Sequence, residues 1–236
     1  MDYNVLDHIV FKTVSGSRSY GLDTSDSDKD ALGAFVSPPG YLLGVNDENV
    51  RHYQHDTDDE NYKLMSDFAL NIRIGSHFWV ETLFVRDEDI LVLSPVFEPF
   101  VTNRKMFLTQ NLVTKSLGFM RGMITDSQNT LSKHEPSEKN WSSARKNLCH
   151  AVRVGNMILE MLNEFDMRVY RLDEREHLLG IKYGLVSSED AISETEFLIS
   201  KIEERKNKVN LFEDNALIND WLVQGYIKYW RSQNWI

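Results

Sequence analysis

The stretch Gly16-Ser17-Arg18-Ser19-Tyr20-Gly21, followed by Ser25-Asp26-Ser27-Asp28-Lys29-Asp30 and the apolar run Ala31-Leu32-Gly33-Ala34-Phe35-Val36, decides how this chain is read. Its Gly and Ser content predicts a turn over Ser15–Gly21. Such a turn exposes backbone N–H groups and a hydroxyl, which suits phosphate oxygens. Residues 30–36 predict a strand, stopped by Ser37-Pro38-Pro39-Gly40. Asp28 and Asp30 stand two apart beside that strand. Side chains at i and i+2 of an extended chain share a face, so both carboxylates can reach one site. Hard oxygen ligands of this kind favour Mg²⁺. Two such ions about 3.5–4 Å apart can activate a hydroxyl and stabilise a leaving pyrophosphate.

Two other metal or phosphate motifs fail on detail. A P-loop requires Gly-Lys-Ser/Thr after four intervening residues, which this turn lacks. An EF-hand loop starting at Asp26 has Ala31 at its sixth position and Ser37 at its twelfth, where Gly and Glu are needed. A solvated Asp-Ser-Asp turn without chemistry is the competing reading of the same residues.

Outward from this stretch, residues 4–14 predict a short helical or extended segment, and 50–57 a polar strand. Leu64, Phe68 and Ile72 recur at spacing four, predicting a helix from Tyr62 onward, with another over 77–85. Pro95 and Pro99 mark 86–100 as a linker. Helices are expected at 102–121, 142–164, 188–207 and 212–231, the third opened by a capping box at Ser187-Ser188-Glu189-Asp190, with a polar loop at 127–140. The expected class is α+β: a small α/β domain with a mixed sheet over 1–100, then a helical domain over 101–236.

Composition bounds the function. The net charge of −10 argues against a broad nucleic-acid surface and leaves room for a local basic groove. A single cysteine, Cys149, excludes an intrachain disulfide and a cysteine-based zinc cluster. No apolar run reaches membrane-spanning length, and the first residues lack a signal peptide's basic and apolar regions. A cytoplasmic protein without membrane contact is the expectation.

The segment GSRSYGLDTSDSDKDALGAFV (16–36) resembles the signature of the polymerase-β-like nucleotidyltransferase superfamily, in which Gly-Ser precedes a strand carrying Asp-x-Asp. The form Gly-Ser-Arg-x-Tyr-Gly with Ser-Asp-x-Asp is similar to a bacterial and phage branch, one group of which is associated with RNA repair. Two later segments, 62–85 with Glu81-Thr82-Leu83-Phe84 and 169–190, resemble further motifs of that branch, although Ser76-His77 replaces its Asn-Pro. The likeness spans most of residues 10–200.

The resemblance implies NMP transfer from an NTP to an acceptor hydroxyl, with Mg²⁺ or Mn²⁺ as cofactor and an RNA end among the acceptors. Gly16 and Ser17 would hold the phosphates, and Asp28 and Asp30 the metal. The third carboxylate of the superfamily falls at Asp58 or Asp59, with Asp56 behind them, and Asp58 is preferred. The polarity of HDTDDEN (55–61), where related strands are apolar, keeps a second reading open: a nucleotide-binding or sensing module with an incomplete carboxylate triad.

Secondary candidates follow. Arg18 either binds a phosphate or pairs with Asp26. Lys146, His150 and Arg153 share one helix face, and Lys146 and Arg153 are the phosphate-contact candidates. Glu81 reads as a brace of the phosphate loop. Trp221, Tyr226, Tyr229 and Trp230 read as core or a subunit contact. Neither the NTP, the acceptor nor the oligomeric state follows from these residues.

Overall fold

The computed structural model describes residues 3–44, 50–55, 59–132, 137–207 and 214–236. These form two compact units, one reaching Phe107 and including the C-terminal helix, the other running from Leu108 through the intervening helices. The class is α+β, a mixed sheet in the N-terminal part followed by helices.

In the first unit a 3-10 turn, Val5–His8, leads into β1 (Ile9–Val14). One helical turn, α1 (Gly16–Ser19), precedes β2 (Ala31–Phe35), and α2 (Pro39–Leu43) follows it. Next come β3 (His52–His55), β4 (Glu60–Leu64), α3 (Met65–Arg73) and α4 (His77–Val80). Then come β5 (Ile90–Leu93) and α5 (Glu98–Thr102). The five strands lie in the order β3-β4-β2-β1-β5. Every pairing is antiparallel except β2 with β4, which run parallel.

Both faces of β2 are covered, and all five of its residues are buried. Phe11 is central to one face, stacking on Phe97 with centroids 4.4 Å apart and meeting Phe68 edge-on. The opposite face carries a smaller core of Val5, Phe35, Tyr62 and Leu64. Gly33 sits where strands approach closely: an added Cβ would lie 2.1 Å from the Phe11 carbonyl oxygen and 3.0 Å from the Tyr62 ring.

Two expectations are corrected here. Tyr62 and Leu64 belong to strand β4, and the helix begins at Met65. Their spacing with Phe68 and Ile72 mimics a helix because a strand buried on its inner face runs straight into an amphipathic helix. The proposed linker 86–100 contains β5, which pairs with β1 and completes the sheet.

The last helix, α10 (Asn215–Ser232), packs on the first unit. Trp230 Nε1 donates to the Ser37 carbonyl at 2.8 Å, and Ser66 N donates to the Tyr226 hydroxyl at 3.1 Å. Trp221 meets Phe100 edge-on, with centroids 5.6 Å apart. Trp230 and Tyr226 are buried.

The second unit comprises α6 (Gln110–Leu131), α7 (Glu138–Glu164), α8 (Arg175–Tyr183) and α9 (Ser188–Arg205). The helix expected at 102–121 starts later, where the Thr109 hydroxyl accepts from Leu112 N, and it runs through 127–131 of the expected loop. The expected cap at Ser187 is present, its hydroxyl accepting from Asp190 N at 3.0 Å. Helix α8 has no counterpart among the expected elements. Gly155 brings α7 close to its neighbours, for an added Cβ would stand 2.7 Å from Met120 Cε and 2.9 Å from Leu198 Cδ1.

Candidate active site

The Gly-Ser turn joins the end of β1 to a loop that returns to β2. Gly16 takes φ +65°, a conformation that costs glycine little and other residues more. The turn closes through Gly21 N to Arg18 O at 3.1 Å and Leu22 N to Ser17 O at 2.8 Å. The Ser19 hydroxyl donates to Gly16 O at 3.0 Å. The acidic segment is tied to this turn. Ser15 N donates to Asp30 O at 2.9 Å. Arg18 donates from Nε to the Asp28 carbonyl and from Nη2 to the Ser27 carbonyl, both at 3.1 Å. Thr24 N donates to the Ser27 hydroxyl at 2.9 Å.

The side chain of Asp30 lies directly against Gly16. A Cβ placed on Gly16 would stand 1.9 Å from Asp30 Oδ2 and 2.9 Å from its Cγ. A carboxylate and the first glycine of the turn thus occupy one spot. Asp30 is partly buried and Asp28 is exposed. Both precede the first residue of β2, so strand alternation is not what holds Asp28. The Arg18 fork on the carbonyls of residues 27 and 28 fixes that backbone instead. The sequence left Arg18 between a phosphate and Asp26; the structure shows it bracing the acidic loop.

The parallel partner of β2 brings the backbone of Asp59 alongside. Ala31 pairs with Glu60, and Ala31 N donates to Asp59 O at 3.1 Å. Extending that register by one residue sets Asp59 beside Asp30. Asp59 stands one residue before β4, which Glu60 opens. Glu60 there accepts from Lys12 Nζ at 2.5 Å and from the Tyr62 hydroxyl. Asp58 and Asp56 lie outside the described residues. Among the described residues no group of three or more His, Cys, Asp or Glu side chains is arranged to hold a metal ion. Carboxylates such as Asp28 and Asp30 are hard oxygen donors of the kind a divalent cation takes, and the Asp30 carboxylate stands against Gly16.

The basic face of α7 runs from solvent to interior. Lys146 is exposed, His150 is half-buried and Arg153 is only 2% exposed. Burial pushes the neighbouring Cys149 thiol upward, opposed by the charges of Arg153 and Lys182. Glu81 is buried in the first unit. Sequence reasoning missed a further cluster in the second unit: the side chain of Arg171 is 1% exposed and donates to Glu160 and Glu174. Its signal was slight, an Arg and a Glu three residues apart. No described helix is long and apolar enough to cross a membrane.

Residues 2–70 match the model of the RNA repair pathway DNA polymerase beta family. The matched stretch contains the Gly-Ser turn, Asp28, Asp30 and the β2–β4 pair. Over that stretch the chain is similar to the polymerase-β-like nucleotidyltransferases. No curated protein matches it.

Proposed function

We propose that the first unit transfers a nucleoside monophosphate from an NTP to an acceptor hydroxyl, with an RNA end as the acceptor class. The observation that carries this is the Asp30 carboxylate packed on Gly16, at the turn suited to phosphate. The catalytic region expected over 1–100 lies in this unit, which also takes in α10, while the helical domain expected over 101–236 is represented by the second unit from Leu108 onward.

Gly16 and Ser17 bind the triphosphate through backbone N–H groups and the Ser17 hydroxyl. Arg18 positions the loop bearing Asp28 by gripping its carbonyls. Asp28 and Asp30, with a third carboxylate at Asp59 or Asp58, are the residues that would hold Mg²⁺ or Mn²⁺. Bound there, a divalent ion supplies positive charge to the triphosphate oxygens. The third carboxylate takes the proton of the acceptor hydroxyl, whose oxygen forms a bond to the α-phosphorus. The bond from that phosphorus to the bridging oxygen of the β-phosphate breaks, and pyrophosphate leaves with its electron pair. In the second unit Lys146, exposed on α7, and Arg153, buried on the same face, are the phosphate-contact candidates.

The test is NMP incorporation from each labelled NTP into RNA ends by the Asp28→Asn/Asp30→Asn double variant. Turnover should vanish with the melting curve unchanged. Wild-type incorporation by that variant refutes the assignment. Metal-dependent NTP binding without pyrophosphate release, over a panel of RNA, protein and small-molecule acceptors, would make the chain a nucleotide-binding module instead.

A further inference from the structure

At the other end of β1 from the Gly-Ser turn the first unit holds a cavity of about 530 Å³. Its walls are Tyr3, His8, Tyr41 and Trp235, with Pro38 and Pro39 at the start of α2 and Asn234 at the rim. Six residues of strand separate it from Gly16, roughly 20 Å at the usual rise. The catalytic reading makes no use of it.

The rings are mutually ordered. Tyr3 and His8 stack with centroids 5.2 Å apart and 11° between planes. Trp235 tilts over His8 at 4.8 Å and meets Tyr3 edge-on at 6.4 Å. Tyr41 closes on Tyr3 at 5.2 Å. Outside the cavity, the Tyr229 hydroxyl meets His8 Nδ1 at 3.1 Å and fixes the imidazole plane. The Tyr3 hydroxyl donates to the Val36 carbonyl at 3.0 Å, so that ring is held as well. Tyr3, Tyr41 and Trp235 are only partly buried, and Asn234 is exposed at φ +54°.

What such a cavity can recognise follows from its lining. Among the described residues its lining carries no Lys, Arg, Asp or Glu, and its surface is mainly aromatic. Burial lowers the His8 pKa, which favours the neutral imidazole despite the opposing effect of Asp7. Flat aromatic walls of this kind suit a planar ring. A heteroaromatic ring stacks on such side chains with little dependence on identity. The Asn234 amide adds a donor and an acceptor at the rim for an edge of that ring. The volume is that of a pocket for one small ligand.

We propose that this cavity binds an unpaired nucleobase, supplied by a single RNA strand or by a free nucleoside. The assignment stands on the ring geometry and does not depend on the catalytic reading.

The test is saturation-transfer NMR with calorimetry on the full chain in EDTA, using adenosine, uridine, ribose, tetramethylammonium and a five-nucleotide oligoadenylate. Adenosine and uridine should show contact at their base protons, and ribose should show none. Trp235→Leu should keep its melting curve and weaken adenosine binding roughly five- to a hundredfold. Should that variant fold poorly, Tyr41→Leu carries the same expectation. The Asp28→Asn/Asp30→Asn protein should bind adenosine as the wild type does, which separates this site from the catalytic one. Tighter binding of the oligonucleotide identifies an RNA strand as the source; binding no tighter than adenosine identifies the free nucleoside. Absence of base contacts, unchanged affinity in both ring variants, or tetramethylammonium binding in place of adenosine overturns the proposal.

Discussion

At Gly16 one added carbon has two consequences. It meets Asp30 Oδ2 at 1.9 Å and must adopt φ +65°. Gly16→Ala should therefore lose nucleotidyl transfer by well over tenfold and about 1–2 kcal/mol of stability. An incorporation assay and a thermal melt check both, and full activity would separate the carboxylate from catalysis. Arg18→Lys keeps the charge but not the fork on two carbonyls. It should lower kcat with little change in KM for the NTP, whereas a phosphate-binding Arg18 would raise KM. His8 gives a pH signature. Its folded pKa lies below the unfolded value of about 6.5, so the folded chain binds fewer protons and stability falls as pH drops through and below that value. Melting curves between neutral and acid pH should show this decline, and His8→Gln should lessen it. Residues such as these were legible to different degrees. The Gly-Ser turn and the two aspartates stood out from residue type and spacing alone. The fork of Arg18 did not, because it is aimed at carbonyls, which leave no trace in side-chain identity.

Elements were legible where periodicity and length agreed. The long helices α6, α7 and α9 were expected, and Ser187 capped its helix as its residue type implies. Strand β4 was misread because Tyr62 and Leu64 continue into Phe68 and Ile72 at helical spacing. Strand β5 was hidden in the expected linker, just before Pro95 and Pro99, and only its pairing with β1 reveals it. Third-carboxylate candidates could be named from the sequence, but the register between β2 and β4 is a tertiary fact. Gly33 tests that register. Gly33→Ala must push β1 or Tyr62 aside, since its Cβ would stand 2.1 Å from the Phe11 oxygen. A loss of about 3 kcal/mol is expected from such overpacking, read by denaturant unfolding. A neutral Gly33→Ala would show that the β1–β2–Tyr62 packing is not as close as described.

The first unit is assembled from both ends of the described sequence. Helix α10 buries Tyr226, Trp230 and Ile218 in it. A chain ending at Asn207 should lose about 5 kcal/mol or more from the first unit. Limited proteolysis should then cut within residues 1–107 while the helices of the second unit stay protected. Resistance throughout would show that α10 is dispensable. The chain order of these pieces matters during synthesis. The ribosome delivers the sheet first, then the whole second unit, and α10 only afterwards. At roughly 5–20 residues per second, the seat for Trp230 beside Ser37 stays bare for many seconds after the sheet has emerged. A nascent chain therefore carries an open apolar surface that chaperones can grip, and the first unit matures last although most of it is translated first.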